Sequence, residues 1–132
     1  MRAGGWIVLF VVAVMPAALL ESGPKTQRPE LSLRATPRAA LTPAEIQFVA
    51  AIDGGNDLED YHCPEIEWDW DDGSRSVHQS DCSPDEPDAA VERRFSARHT
   101  YGVEGDYRVS VTLRRASRSV ASASTNIIIR GQ

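Results

Sequence analysis

Apolar and polar residues alternate with a period of two through much of this chain, the signature of strands with one buried face. Ile66, Trp68 and Trp70 recur at every second position with Glu65, Glu67, Asp69 and Asp71 between them. That spacing predicts a strand with both tryptophans on one side. Tyr107, Val109, Val111 and Leu113 repeat the pattern against Arg108, Ser110 and Thr112, and their side is expected to be core. Shorter alternating runs cover Leu31 to Ala35 and Val91 to Ala97, and Val120 to Ile129 ends in β-branched residues that favour strands. Ile46, Val49 and Ile52 punctuate an apolar stretch from Ala44 to Ile52. A strand is the preferred reading there, although Thr42-Pro43-Ala44-Glu45 also has the form of a capped helix start. Turns are predicted at Asp53-Gly54-Gly55-Asn56 and Asp71-Asp72-Gly73-Ser74, where Gly, Asn and Asp tolerate tight backbone conformations, and within Arg114 to Arg118. No regular element is expected from Ser80 to Asp88. Six or seven strands without a firm helix predict an all-β fold, an immunoglobulin-like antiparallel β-sandwich of about seven strands.

The first residues break the alternation. Arg2 precedes an almost unbroken apolar run from Trp6 to Val14, followed by the small residues Ala17 and Ala18. This is signal-peptide anatomy, and the run is shorter than the ~20 residues that a membrane-spanning helix needs. Residues 1–22 are therefore expected to be a cleaved signal, with no membrane span once it is removed. Residues 23–30 have no apolar face and read as a flexible linker, and residues 31–132 form the domain. The expected location is secreted or periplasmic.

Export changes the meaning of the cysteines. Only Cys63 and Cys82 are present, and in an oxidising compartment a disulfide is favoured over a reactive thiol or a metal site. Such a bridge is expected to stabilise the fold by about 3 kcal/mol.

Charge is segregated along the chain. Between Asp53 and Asp88 thirteen acidic residues accompany one arginine, Arg75, although the net charge of the whole chain is only −5. Such a window disfavours nucleic acid, which needs clustered cations, and is suited to cations or a basic partner.

Two stretches resemble the PKD domain family, an immunoglobulin-like β-sandwich of exported proteins. Trp68-Asp69-Trp70-Asp71-Asp72-Gly73 is similar to the family's W-D-F-G-D-G, with Asp71 where glycine is usual. His99-Thr100-Tyr101 and Gly105-Asp106-Tyr107-Arg108-Val109-Ser110-Val111 match its H-x-Y and G-x-Y-x-V-x-[LV] pattern. The resemblance makes Trp68, Trp70, Asp72, Gly73, His99, Tyr101, Gly105 and Tyr107 structural, with Gly105 permitting the bend between two strands. It implies a module for protein or carbohydrate contact, or a spacer. The chain stops soon after its last strand, so the module is expected to stand alone.

The chemistry excludes more than it assigns. His62, His78 and His99 accompany no nucleophile elbow and no H-E-x-x-H pattern, so no enzyme is expected. No cofactor is required. Calcium is the alternative ligand, because hard cations need several carboxylates together; Asp53, Asp57, Asp69 and Asp71 are the candidate ligands. Tyr61, beside the acidic residues, is the expected exposed contact residue, with Asp57, Asp71 and Asp72 as further binding candidates. The partner is expected to be a protein or glycan, with a basic one favoured by the acidic window.

Overall fold

Alternation decides the architecture: Ile46, Phe48, Ala50 and Ile52 are buried at every second position, so the stretch Ala44–Asp53 is a strand and the helix alternative is excluded. Val49 faces outward, because the three-residue spacing of Ile46, Val49 and Ile52 is not the one the backbone follows. The computed structural model describes residues 3–5, 9–14, 27–80 and 91–132.

Among the described residues eight strands follow one another: β1 Glu30–Thr36, β2 Ala39–Leu41, β3 Ala44–Asp53, β4 Glu65–Asp69, β5 Arg75–Gln79, β6 Arg94–Tyr101, β7 Gly105–Arg115 and β8 Arg118–Arg130. A single 3-10 turn, Glu59–Tyr61, lies between β3 and β4. Strands β1-β3-β6 make one sheet and β2-β8-β7-β4-β5 the other. The inner faces meet in one core built from Leu33, Phe48, Trp68, Trp70, Val111 and Ile127, among others. All pairings are antiparallel except β2 with β8, which is parallel. The chain changes sheets between β1 and β2, across a cis Thr36–Pro37 bond.

Two strands lie outside the sequence expectation. β2 is too short to show a period. β5 is exposed at all five positions, since it flanks only β4 and has no buried face to mark it. The strand expected at Val91 to Ala97 runs instead from Arg94 to Tyr101, because its inward row is Phe95, Ala97, His99 and Tyr101.

The signature residues form a column of rings down one side of the core. Trp70 stacks on Trp68 at 5.2 Å and on His99 at 4.5 Å, and Tyr101 meets His99 at 4.8 Å and Tyr107 at 4.5 Å. Polar ends are satisfied: the Tyr101 hydroxyl donates to the Trp70 carbonyl at 2.9 Å, and the Trp70 indole N–H donates to Ser76 Oγ at 2.9 Å. Asp71, the departure from the family's glycine, has φ 63°. Asp tolerates this left-handed conformation better than most residues. Hydrogen bonds hold it there: its N–H donates to Asp69 Oδ1 at 3.0 Å, and its carboxylate accepts from the Arg108 N–H at 2.8 Å. Gly105 opens β7 with a φ that is not positive, and a Cβ there would lie 3.3 Å from the Tyr107 ring.

Asp72 ties the turn to β6. Its carboxylate accepts from the Ser74 N–H at 3.0 Å and meets His99 Nε2 at 2.7 Å. Burial works against its ionisation, but the bonds from Ser74 and His99 outweigh burial and hold its carboxyl below the ordinary 3.8. A depressed carboxyl contributes stability that is full above its unfolded value and is lost as pH falls through the folded one. Stability is therefore expected to drop on acidification below about pH 4, and Asp72→Asn to flatten that drop; urea midpoints at stepped pH check this.

Near the N-terminus, Leu9, Phe10, Val11, Val12 and Val14 lie exposed. Among the described residues no helix is long and apolar enough to cross a membrane.

Candidate functional site

At one end of the sandwich the chain before β1, the 3-10 turn and the β7–β8 hairpin enclose a cavity of about 230 Å³. Its walls are Arg28, Asp57, Asp60, Arg118 and Ser119, and Pro29, Tyr61 and Val120 contribute the less polar surface. Each wall has a local cause. Gln27 and Asn56 exchange hydrogen bonds at 2.9 and 3.1 Å, which brings Arg28 against the loop. Gly55, at φ 81°, lets Pro29 approach so closely that a Cβ would lie 2.6 Å from the Pro29 nitrogen. Gln27–Pro29, expected to be linker, are thus fastened to the domain. On the other wall, Ala116 and Ser117 close the β7–β8 hairpin with φ 51° and 65°, the primed-turn geometry that suits a two-residue connection. Arg118, just after this turn, reaches Asp60 at 2.8 Å, and Arg115 donates to the Glu59 carbonyl.

Asp57 and Tyr61, two of the binding candidates, meet in this cavity, but Tyr61 is not the exposed contact expected of it. It is only 7% exposed, because the Leu58–Tyr61 turn folds its ring under Pro29, where its hydroxyl donates to the Pro29 carbonyl at 3.5 Å. Burial first, with Asp60 and Asp57 nearby, raises the phenol above its ordinary 10.0 despite the opposing Arg28. The hydroxyl is neutral at ordinary pH. Asp60 and Arg118 form the internal pair, whereas Arg28 and Asp57 have no protein partner among the described residues. The site therefore presents a donor fork and an acceptor pair across one cavity, beside an aromatic ring.

Asp71 and Asp72, the other binding candidates, lie in the opposite end of the sandwich and are spent on Arg108, Ser74 and His99. The proposed calcium ligands divide in the same way. Ile46 pairs with His99, beside Asp72, and Asp53 stands seven residues further along β3, a rise of about 23 Å. Asp53 and Asp57 cannot share an ion with Asp69 and Asp71 across that length. Asp69 is also engaged, with Arg75 at 3.4 Å. Among the described residues no three of His, Cys, Asp and Glu are placed to hold a metal ion. His99 is packed in the ring column, His78 lies on β5 opposite Ile66, and His62 follows the 3-10 turn.

Among the described residues part of the acidic window is neutralised in space. Glu67 takes Arg114 at 2.7 Å and Arg75 at 3.2 Å, and Asp60 takes Arg118. Arginines distant in sequence return to these carboxylates through β7 and β8, which weakens the case for a basic partner. Asp81, Asp85, Glu86 and Asp88 lie outside the described residues. So does Cys82, the expected partner of Cys63; Cys63 itself is not a free thiol.

No protein-family profile matches this chain, and no curated protein does. Among solved structures it is similar to one reported for the promiscuous specificity of carbohydrate-binding modules from the β-sandwich superfamily. The two are 19% identical with a TM-score of 0.51, over 82% of this chain and 36% of that one. The fold is that of a β-sandwich. A CARDB domain from Pyrococcus furiosus, solved with di-metal ions, is 10% identical with a TM-score of 0.49, over 82% of this chain and 99% of that domain. At these identities the likeness is one of fold alone.

Arg28, Asp60, Arg118 and Ser119 escaped the sequence reading. They come from segments far apart in the chain, and only the adjacent turn predictions at residues 53–56 and 114–118 hinted that loops gather there.

Proposed function

We propose that this chain is an exported, non-catalytic β-sandwich module of the PKD type that binds a carbohydrate in the cleft between Arg28, Asp57 and Arg118. The observation that carries the reading is the unengaged pair Arg28 and Asp57 facing one cavity beside Tyr61. A guanidinium fork and a carboxylate satisfy neighbouring hydroxyl groups, each as donor or acceptor, and a ring edge packs on the apolar face of a sugar. A cavity of about 230 Å³ is smaller than the ~300–1,000 Å³ typical of sites for drug-sized ligands, so it suits one sugar residue at a chain end. The PKD assignment is supported by the signature residues, which build the ring column from Trp68 to Tyr107 and the Asp72–His99 tie. Export, to a secreted or periplasmic location, is supported by the pattern of residues 1–22 and by the exposed apolar residues Leu9 to Val12.

Glycan-array screening of the wild-type domain is expected to give retention on a defined set of terminal sugars. The Arg28→Ala/Asp57→Ala variant is expected to lose it by about tenfold or more, since each truncation removes charge-assisted hydrogen bonds. Both side chains are exposed, so the variant should unfold at the wild-type urea midpoint. Equal retention by both proteins would sink the proposal.

A further inference from the structure

The centre of the outer face of the three-stranded sheet carries charge of one sign, with the acidic residues of that face, Glu30, Asp53 and Glu45, confined to its two ends. Phe48, Ala50 and Phe95 point into the core, so the residues between them in β1, β3 and β6 face outward. Three cross-strand rows at the centre of this face each hold one arginine: Arg34 beside Val49 and Ser96, Arg94 beside Ala51, and Arg98 beside Gln47. No acidic residue stands in those rows, in a chain whose net charge is −5. Strand rise and spacing put the three arginine Cα atoms at the corners of a triangle with sides of about 12–13 Å.

The contrast with the other sheet is the informative feature. There the arginines find carboxylates, as Arg75 and Arg114 do at Glu67. Here Arg34 and Arg94 have no protein partner among the described residues, and Arg98 has only an exposed contact to Glu45 at 3.7 Å. Pairs of that kind are worth little and are readily exchanged.

We infer that this face docks an anionic polysaccharide, with Arg34, Arg94 and Arg98 each taking a carboxylate or sulfate group. Charge complementarity selects an anion, and the spacing selects its form. With Cα atoms about 12–13 Å apart, the three guanidinium groups can each take a separate charge, which matches a polymer whose charges are separated by uncharged segments. Between them the face offers hydroxyl and amide groups and the shallow, half-buried Val49, which suit sugar hydroxyls and ring carbons. It presents no aromatic ring for stacking nucleobases and no large apolar wedge for entering a bilayer. This surface is separate from the cleft, so the two can be tested apart.

The test is affinity electrophoresis of the full domain in gels containing dextran sulfate, polygalacturonate or neutral dextran. Retardation is expected with the two anionic polymers, weakening steeply with added salt, and absent with neutral dextran. The Arg34→Gln/Arg94→Gln/Arg98→Gln protein is expected to bind roughly tenfold or more weakly. The Arg130→Gln protein, changed at an exposed arginine of the other sheet, should be retarded like wild type. Far-UV circular dichroism checks that the triple variant is folded. Wild-type mobility that ignores both anionic polymers, or a folded triple variant retarded like wild type, would overturn the inference. So would equal binding to single-stranded DNA or to phosphatidylglycerol vesicles.

Discussion

Trp70→Ala is expected to destabilise the domain by about 3–5 kcal/mol, the usual range for truncating a buried tryptophan. Three features place it at the upper end. The side chain is only 2% exposed and fills the core between Trp68, Phe48 and His99. Its indole N–H is the tie to Ser76 on β5, a strand that otherwise has only β4 for a neighbour. Its backbone carries the turn, since the Trp70 N–H donates to the Ser74 carbonyl and its carbonyl accepts from Tyr101. A cavity of this size would leave His99 without the ring it stacks on and loosen the Asp72 tie. Domains of this size hold only ~5–15 kcal/mol in total, so the variant should be near the edge of folding. Urea denaturation followed by far-UV circular dichroism measures it, because fluorescence would lose one of its own reporters. A loss below about 1 kcal/mol would show that the column is not the centre of the core.

The second large effect is expected at Cys63. A bridge to Cys82 would close the loop that contains β4 and β5, and Cys63→Ser should then cost about 3 kcal/mol under oxidising conditions and nothing in reductant. β5 gains most from such a closure, since it is exposed along its whole length. Intact mass of protein recovered from outside the cytoplasm tests the bridge and export together. The mass should lack the signal residues near 1–22 and be two hydrogens below that of the reduced chain. A full-length mass, or two thiols titrated in the denatured, unreduced protein, would reject the corresponding half of the proposal.

Where a side chain's fate is set by its own strand, the sequence was legible. Ile66, Trp68 and Trp70 are all buried, as are Val109, Val111 and Leu113, because a period of two needs no knowledge of the partner strand. Val49 misled because its spacing from Ile46 and Ile52 imitates a helix. β5 left no signal, since an edge strand without a buried face has no reason to alternate. Asp71 was readable as an anomaly but not as a solution, which depends on Asp69 and on the backbone of Arg108 across the sheet. The charge pattern was misleading for the same reason: register places Arg114 opposite Glu65 and next to Glu67, and no local window reveals that. The cleft was half legible. Asp57 and Tyr61 stood out beside a turn, whereas Arg28 and Arg118 become their neighbours only through the packing of the chain before β1 and the β7–β8 hairpin.

The central claim is that the cleft at the Pro29 end is where this module meets a sugar. A ¹⁵N-edited NMR titration of the domain with a terminal sugar retained on the array tests it most directly. The account predicts that the amides of Arg28, Asp57, Tyr61, Arg118 and Ser119 shift first and saturate together, with the Trp70–Tyr107 column undisturbed. Shifts confined to the turn at Asp71 and Asp72, or an unchanged spectrum at millimolar sugar, would contradict it.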